Sequence, residues 1–568
     1  MLGELDVLVI DCQASGATPA HGDLLEIGWA VAGRNGLRGP IRQCFVIPRT
    51  ERRVPAAVRE LTGWSEACIE HALTEQAVWA ALRQDIASAA RAVENDATER
   101  VVSTIHYARF ELPFLRDLHD RLGDGEAFPL EVFCLHAIAA RMFPDLPRRN
   151  IRALAGYLGH STELVRRCAG HVEASAFIWQ ALLARLEQQG VTTTAELRSW
   201  LEQAAPARPR HKRVFPFSSE RRRALPDGPG VYRFLRSNGD ALYVGKATSI
   251  KKRVASHFSA RATTGVAKGP AATNERALEL LTQVLDIDVT PTASILEAAL
   301  LESDEIKRLD PPYNVQLRSG ERKVWFSTSD LGSADSRYDA QHRIGPLPSQ
   351  RSLSGLSALV ALARSAEPEP ALQACALAVP IAFLPDRELF VAGYRAFADE
   401  HIVSTAMSAQ ARVAHAARAL WLARGRAEPA VEEERAPDTW DLARVQRRLE
   451  RCLIQGDLLM RRARWLSLLA HADVAFRERG MVRARILILD GGQIVERREL
   501  LGDLHALPVR RWPPCDARRA CFDATAYDRA RVLATELNRV HAEGGEVAVR
   551  LAGRVLEGPR LARLLRWV

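Results

Sequence analysis

The hydrophobic and polar positions of roughly the first 200 residues alternate between strand-like runs and helix-like patterns. Short apolar runs rich in β-branched and aromatic residues predict buried strands. Three follow one another: LDVLVIDC (5–12), DLLEIGWAVAG (23–33) and IRQCFVIPR (41–49). Apolar residues at helical spacing predict helices in VPAAVRELTG (54–63) and EVFCLHAIAARMF (131–143). This order predicts an α/β domain over residues 1–190.

A change of composition marks the end of this domain. Residues 203–230 are rich in proline and arginine and have little hydrophobic periodicity, which predicts a basic linker over residues 191–225. Between Arg208 and Arg223 the chain has seven Arg or Lys residues and one Glu. Such a run is either a solvated surface or a phosphate contact, and the pattern alone favours neither.

Three further regions follow the linker. A compact α/β pattern occupies residues 226–320, long segments rich in Ala, Arg and Leu predict a mostly helical region over 321–480, and residues 481–568 return to α/β. Within the last region, residues 481–501 predict a hairpin that turns at a Gly-Gly pair, and EVAVRLAG (546–553) predicts another strand after a long helix. A multi-domain α/β protein is therefore expected from 568 residues.

Composition narrows the classes of function. A net charge of +9, carried more by arginine than by lysine, favours an anionic partner such as DNA, although basic proteins of every function share this composition. The nine cysteines form no CxxC pair, which argues against a zinc or iron-sulfur cluster and a disulfide framework. No signal sequence or run of about 18 apolar residues is recognisable, so we expect a cytoplasmic protein without a membrane partner.

The strongest chemical pattern is GPGVYRFLRSNGDALYVGKATSIKKRVASHF (228–258). Two strands joined at SNGD end in Tyr232 and Tyr243, which predicts two phenols side by side. The basic segment that follows contains Lys246, Arg253 and His257. We expect these three to face one way, because Arg253 and His257 are four residues apart on a predicted helix.

The GVY and YVG motifs resemble the GIY-YIG nuclease domain. The resemblance continues into the excinuclease UvrC and its short relative Cho through ASILEAALLESDEIKRLDPPYNVQL (293–317) and RIGPLPSQRSLSGLSAL (343–359). It implies Glu302 as the metal-binding carboxylate, Asn314 as the closing polar residue of the site, and Mg²⁺ or Mn²⁺ as cofactor.

The implied reaction is hydrolysis of a DNA phosphodiester by water. Arg253 would clamp the charged phosphate, because its guanidinium stays protonated and bonds two oxygens at once. Tyr232 or Tyr243 would orient or deprotonate the water, with Lys246 lowering the pKa of the phenol. His257 would transfer a proton or contact the phosphate.

The first domain resembles the DnaQ-like (DEDDh) 3′–5′ exonucleases, which implies an RNase H-like fold with two metals, four carboxylates and a histidine base. The resemblance is carried by LVIDCQASGATPAHGDLLEIGWAVA (8–32), IHYARFELPFL (105–115) and RCAGHVEASAF (167–177). The residues implied at the site are Asp11, Gln13 in place of the second carboxylate, Glu111, Glu173, and Cys168 where the histidine is expected. Asp11, Glu111 and Glu173 remain metal-ligand candidates, and His171 is a candidate substitute base. We interpret this as a degenerate site retained to bind or position DNA.

The leading hypothesis is a metal-dependent endonuclease that nicks DNA on the 3′ side of damage in nucleotide excision repair, with the exonuclease-like domain as accessory and damage-recognition proteins as possible partners. Two alternatives stay open: an active 3′–5′ exonuclease and a catalytically silent DNA-binding repair scaffold. The region after residue 365 resembles no family known to us, and its Arg-rich helices either bind DNA or are solvated.

Overall fold

The structure is a computed structural model. It describes residues 1–50, 52–92, 100–161, 166–203, 214–259, 271–314, 323–365, 368–402, 407–423, 439–502, 504, 522–551 and 553–565. The basic residues 208–213 of the predicted linker lie outside the described residues. The chain divides into two compact units, one formed by Met1–Ser294 with Leu309–Gln316 and the other by Ile295–Arg308 with Leu317–Val568.

The described helices and strands are numbered in chain order. The strands are β1 Val7–Ala14, β2 Leu24–Gly33, β3 Gly36–Leu37, β4 Arg42–Phe45, β5 Val101–Ile105, β6 Leu130–Cys134, β7 Gly230–Leu235, β8 Ala241–Ala247, β9 Asp286–Pro291, β10 Trp325–Thr328, β11 Ala334–Asp335, β12 His342–Leu347, β13 Asp473–Arg477, β14 Ala484–Asp490, β15 Gln493–Leu500, β16 Glu546–Leu551 and β17 Arg554–Glu557. The α-helices are α1 Ala56–Thr62, α2 Glu75–Ala92, α3 Ala108–Leu122, α4 Leu135–Met142, α5 Ile151–Tyr157, α6 Cys168–Gln188, α7 Thr194–Glu202, α8 Ser219–Arg223, α9 Ile250–His257, α10 Ala271–Gln283, α11 Ile295–Leu309, α12 Ser354–Leu362, α13 Pro370–Leu377, α14 Arg387–His401, α15 Ala409–Ala423, α16 Leu442–Leu469, α17 Ala524–Ala542 and α18 Gly558–Leu565. Short 3-10 helices occupy Leu2–Glu4, Glu66–His71 and Ile381–Phe383.

The N-terminal domain is built on a mixed sheet in the order β3-β2-β1-β5-β6, with β4 also paired to β2. Strand β1 runs antiparallel to β2 and parallel to β5. Because side chains alternate along β1, Val7 and Val9 pack toward α6, whereas Leu8 and Ile10 pack toward α2 and α3. Asp11 and Gln13 continue the first set, so the alternation directs them to the α6 side.

Two boundaries of this domain differ from the sequence prediction. The stretch EVFC, predicted as the start of a helix, is the strand β6, because it pairs in parallel with the buried strand β5 and only the residues after it are helical. The core also continues beyond residue 190, since Leu197 of α7 is buried in it.

The second domain of the first unit contains the three-stranded antiparallel sheet β8-β7-β9. The predicted hairpin is present, with Tyr232 paired to Gly245 and Phe234 paired to Tyr243. Part of the predicted linker belongs to this domain. Phe217 is buried in its core, and the Arg222 guanidinium lies 4.3 Å from the centre of the Phe258 ring. The linker prediction was wrong here because the charged composition gave no sign of two contacts that hold the segment to the domain. These contacts are the buried Phe217 ring and the cation–π contact between Arg222 and Phe258.

The second unit combines helices with two sheets. Residues 321–480 are not helical throughout, because β10, β11 and β12 form a small antiparallel sheet and β13 lies at the end of the region. Helices α12 to α16 share one apolar core. Strands β13 to β17 form an antiparallel sheet in the order β15-β14-β13-β16-β17. The predicted Gly-Gly turn joins β14 to β15, and both glycines have positive φ (55° and 78°), the conformation of a tight hairpin turn.

Helix α11 is held by the C-terminal part of this unit. Leu296 and Leu300 lie in the same apolar core as Trp465. Glu297 forms ion pairs with Arg485 at 2.9 Å and with Arg497 at 3.1 Å. Further along the helix, Asp304 pairs with Arg529 at 2.6 Å and Lys307 pairs with Asp528 at 3.0 Å. No helix in the described part of the chain combines the length and the apolar character needed to cross a membrane.

Candidate functional site

Two phenols, an imidazole and a guanidinium meet on one face of the sheet β8-β7-β9. Tyr232 is fully buried, and its hydroxyl lies 2.8 Å from Nε2 of His257. The rings of Tyr232 and Tyr243 are 6.1 Å apart, and each lies 5.8 Å from the His257 ring. The charge of Arg253 interacts with both phenols. Arg253 and His257 thus share a face of α9, as their four-residue spacing predicts.

The local sequence explains this geometry. Ser249 caps α9 by accepting a hydrogen bond from the backbone N–H of Lys252, which fixes the start of the helix. Gly245 lies directly opposite Tyr232, and a Cβ there would lie 2.5 Å from the Tyr232 hydroxyl oxygen and 2.8 Å from a Tyr243 ring carbon. The glycine of the YVG motif is therefore required by the close packing of the two phenols.

Burial controls the protonation of this cluster. Burial raises the pKa of Tyr232, the neighbouring Tyr243 phenol adds to this effect, and the charge of Arg253 opposes it. Burial and, to a smaller extent, the charge of Arg253 lower the pKa of His257 to about 4. At neutral pH the cluster therefore contains a protonated phenol beside a neutral imidazole.

Lys246 does not share the face of the two tyrosines. It pairs with Val231 across the hairpin, whereas Tyr232 pairs with Gly245, so strand alternation places Lys246 on the opposite side of the sheet. The expectations that Lys246 faces the same way as Arg253 and lowers the pKa of a phenol are therefore wrong for Tyr232, whose pKa is raised by burial. The alternation of β8 was readable from the sequence once the strand was known to continue through Ala247.

Asn314 bonds to the backbone of β8. Its Oδ1 accepts a hydrogen bond from the Val244 N–H at 2.9 Å, and its Nδ2 donates to the Val244 carbonyl at 2.9 Å. Val244 lies between Tyr243 and Gly245. The buried amide therefore fixes the strand that carries the site.

Glu302 lies in the middle of α11, which belongs to the second compact unit. Leu296, Leu300 and Asp304 define the helix face that packs on the C-terminal region, and at 100° per residue Glu302 lies on the opposite face. Its side chain is half-buried. A carboxylate in this setting fits a hard divalent cation, which prefers oxygen ligands and keeps several waters.

The exonuclease-like domain carries a second polar cluster. Asp11 and Glu111 are both buried, and Glu111 accepts hydrogen bonds from the backbone N–H of Cys12 at 2.9 Å and of Tyr107 at 3.2 Å. Burial raises the pKa of Glu111 well above its ordinary range, and the charge of Asp11 raises it further. Gln13 points elsewhere, since its side-chain amide donates to the Arg166 carbonyl at 2.8 Å.

His171, not Glu173, meets Asp11. Nδ1 of His171 lies 3.0 Å from Oδ2 of Asp11, whereas Glu173, two residues further along α6, is exposed. The expectation that Glu173 supplies a site carboxylate is therefore contradicted, because two residues rotate a helical side chain by about 200°. The sequence indicates His171 as a possible base, but the structure places it beside Asp11, where a ligand carboxylate was expected.

Cys168 is unsuited to the role of a base. Burial raises the pKa of its thiol well above the ordinary range, and the charges of Asp11 and Glu26 raise it further. Sequence reasoning missed Glu26, which lies directly opposite Gln13 on β2. Glu26 is buried, accepts a hydrogen bond from the Cys168 N–H at 3.3 Å, and lies 3.5 Å from Arg167. The cross-strand register was the signal that could have found it.

The donor set of this second cluster does not fit the pair of divalent metals that the resemblance implies. Gln13 stands in place of one expected carboxylate, Glu173 is exposed, and His171 already bonds to Asp11. Both oxygens of Glu111 already accept backbone hydrogen bonds. Glu26 already accepts a hydrogen bond from the Cys168 N–H and lies 3.5 Å from Arg167. Two cations about 4 Å apart need more negative charge than Asp11 and Glu111 provide.

The close packing at Gly245 leads to a stability prediction. We expect Gly245→Ala to lower the free energy of unfolding by about 1–3 kcal/mol, because the added methyl group overpacks the two phenols. Denaturant unfolding of the full chain measures this free energy. Gly228→Ala is the matched control, since nothing lies within 4 Å of a Cβ at that position. Equal losses in both variants would contradict the steric argument.

The environment of His257 leads to a pH prediction. Its folded pKa of about 4 lies below the ordinary 6.5, so the folded state favours the neutral ring. This contribution to stability is present above about pH 6.5 and is lost as the pH falls toward 4. An NMR titration of the His257 ring, assigned with His257→Gln, should give a midpoint well below 6, and Arg253→Gln should raise it. A midpoint near 6.5 in the wild-type chain would refute the buried, neutral ring.

The mismatch at Asp11 leads to a metal-binding prediction. In the full chain carrying Glu302→Ala, calorimetry with Mn²⁺ should detect no pair of tight sites. Adding Gln13→Glu and His171→Asp should create tight Mn²⁺ binding, because the two changes supply the missing carboxylates. Adding Gln189→Glu instead, at an exposed position of the same domain, should not. Two tight sites before any restoring substitution would show that the existing donors suffice.

Comparisons with known proteins found one family match and several relatives. The sequence profile of the UvrC-like GIY-YIG domain matches residues 228–315. A Mycobacterium tuberculosis protein named for bifunctional exonuclease/endonuclease activity is 26% identical over 337 residues, which cover 58% of this chain and 47% of that protein. The UvrABC system protein C of Legionella pneumophila (strain Lens) is 47% identical over 106 residues, 19% of this chain and 16% of that protein. The chain thus spans about half of the first relative and a sixth of the second.

Solved structures give two further likenesses. The magnesium-bound N-terminal endonuclease domain of Thermotoga maritima UvrC is 25% identical, with 17% of this chain and 93% of that chain covered and a TM-score of 0.14. Exonuclease I of E. coli, in complex with an oligonucleotide, is 12% identical, with 40% and 48% covered and a TM-score of 0.29. The profile match thus shows a UvrC-like GIY-YIG domain at residues 228–315, and the first relative, named for both exonuclease and endonuclease activity, is similar over 58% of this chain.

Proposed function

We propose that this chain is a metal-dependent DNA endonuclease of nucleotide excision repair that makes a single nick through its GIY-YIG domain. The observation that carries the proposal is the cluster of Tyr232, His257 and Arg253 packed against Gly245, inside the segment that matches the UvrC-like profile. The relatives named UvrABC system protein C support the repair role, and the resemblance to Cho supports a cut on the 3′ side of damage.

The cluster suits binding and orienting a phosphodiester. Arg253 offers a permanently charged, forked donor for the phosphate oxygens, where negative charge develops during attack. The Tyr232 hydroxyl lies 2.8 Å from Nε2 of the neutral His257 ring, and Arg253 also hydrogen-bonds to both phenols. Because the pKa of Tyr232 is raised, its phenol does not deprotonate the water, and the half-buried Tyr243 is the phenol that can orient it. A divalent cation, Mg²⁺ or Mn²⁺, would be held by Glu302 and would supply positive charge for the leaving oxygen.

The exonuclease-type domain is proposed as an accessory without catalytic activity. The poor fit of two metals to Asp11, Gln13, Glu111 and His171 disfavours the alternative of an active 3′–5′ exonuclease. The phenol–imidazole–guanidinium cluster of the other domain disfavours a silent scaffold. DNA is the proposed partner of both domains, and damage-recognition proteins are proposed partners of the whole chain.

Cleavage of end-labelled duplex, bubble and single-stranded DNA with Mg²⁺ or Mn²⁺ tests the proposal. We expect internal nicks from the wild-type chain and at least a roughly 100-fold loss in Glu302→Ala, because its metal ligand is removed while DNA binding is retained. Glu305→Ala on the same helix is the matched control, since Glu305 pairs with Arg308. Asp11→Ala should nick normally, and the label position gives the polarity.

Three results would contradict the proposal. Full nicking by Glu302→Ala would remove the GIY-YIG domain as the source of cleavage. A ladder of shortened ends that disappears with Asp11→Ala would favour the exonuclease alternative. Binding without any cleavage by the wild-type chain would favour the scaffold.

A further inference from the structure

A buried carboxylate joins the exonuclease-type domain to the GIY-YIG domain within the first compact unit. Glu279 of α10 is only 7% exposed. Its Oε2 accepts a hydrogen bond from Nδ2 of Asn150 at 2.7 Å, and its Oε1 accepts one from the Tyr313 hydroxyl at 2.6 Å. Arg152 adds an ion pair at 3.3 Å. Asn150 and Arg152 belong to the exonuclease-type domain, so a desolvated charge of one domain obtains two of its partners from the other.

The surrounding contacts show a closely fitted interface. Gln283, one turn after Glu279, donates from Nε2 to the Tyr313 hydroxyl at 2.6 Å and accepts from Arg236 at 3.2 Å. Gly156 of α5 packs directly on this amide, because a Cβ there would lie 1.9 Å from the Gln283 Oε1. Glycine is thus the residue that lets the two helices approach so closely.

A second set of contacts lies at the hairpin turn of the GIY-YIG domain. Nδ2 of Asn238 lies 3.0 Å from the Ser161 hydroxyl, which also donates to Asp240. Arg148 pairs with Glu275 at 2.8 Å near the start of α10. The interface therefore contacts the helix, the hairpin and the Tyr313 segment of the nuclease domain.

The contacts continue from this interface to the nuclease cluster. Tyr313, held by Glu279 and Gln283, immediately precedes Asn314, and the Tyr313 N–H donates to the Leu242 carbonyl at 3.1 Å. Asn314 bonds both backbone groups of Val244. Val244 separates Tyr243 from Gly245 on β8. An unbroken series of hydrogen bonds and adjacent residues thus runs from Asn150 to the strand that carries the site.

We infer that the exonuclease-type domain is a positioning platform for the GIY-YIG site, acting through Asn150, Glu279, Tyr313 and Asn314. This inference rests on the proposed function and extends it, since it gives a domain unsuited to hold two metals a role in the nicking step. Asn150 is a positioning residue, because it touches Glu279 and not the phenols. The catalytic competence of β8 therefore depends on the docked domain.

The substitution Asn150→Asp tests the inference with little change of shape. Aspartate keeps the N-cap of α5, where Oδ1 of Asn150 accepts from the Ala153 N–H, but it replaces the donor facing Glu279 by a second carboxylate oxygen. We expect kcat for Mg²⁺-dependent nicking by the full chain to fall about tenfold with KM little changed, a coupling of ordinary size. Hydrogen exchange at the Val244 amide should become faster.

The double variant Asn150→Asp with Glu279→Gln supplies the decisive control. The new amide can donate to Asp at position 150 and still accept from Tyr313, so nicking and slow exchange at Val244 should return to within about threefold of wild type. Asn35→Asp adds the same charge at an exposed turn of the same domain and should change neither quantity.

Wild-type kcat together with unchanged exchange at Val244 in Asn150→Asp would overturn the inference. Failure of the double variant to recover, or an equal loss in Asn35→Asp, would also overturn it. If the wild-type chain does not nick DNA, the proposed function fails separately. The exchange comparison then still decides whether Asn150 positions β8.

Discussion

The desolvated carboxylate of Glu279 is the constraint on which the arrangement of the first unit depends. A buried charge without donors is costly, so the segments that supply Asn150, Arg152 and Tyr313 must converge on it. These segments come from the exonuclease-type domain and from the end of the GIY-YIG domain. Satisfying this carboxylate therefore contributes both to the docking of one domain on the other and to the position of the chain that reaches Asn314.

The two polar clusters of the first unit satisfy their buried polar groups in different ways. In the GIY-YIG domain the buried groups are a phenol and a neutral imidazole that satisfy each other at 2.8 Å, and the permanent charge belongs to Arg253 at the edge. In the exonuclease-type domain the carboxylates are paired or hydrogen-bonded within the protein. His171 bonds to Asp11, Arg167 lies 3.5 Å from Glu26, and backbone N–H groups donate hydrogen bonds to Glu111. The residues that resemble metal ligands therefore bond to other groups of the protein.

The C-terminal region acquires a structural role through α11. The sequence pattern assigns this segment to the GIY-YIG domain, yet Glu297, Asp304 and Lys307 all pair with residues beyond position 480. These partners are 188 or more residues away along the chain, and no local pattern indicates them. A charged helix face in isolation is typical of a solvated surface, and only the folded chain supplies the oppositely charged partners that cover this one.

The sequence by itself determined the hairpin of two tyrosines, the shared face of Arg253 and His257, and the mixed α/β character of the chain. Each follows from spacing within about 30 residues, where turn chemistry and helical or strand periodicity act directly. Only the tertiary structure decided the register of α6 against Asp11, the side of β8 taken by Lys246, and the anchoring of Phe217. These features depend on which face of a helix or strand is buried against segments that are distant in the sequence. If the helix or strand were shifted by one or two residues, its local hydrophobic pattern would still be acceptable, but different side chains would make the contacts.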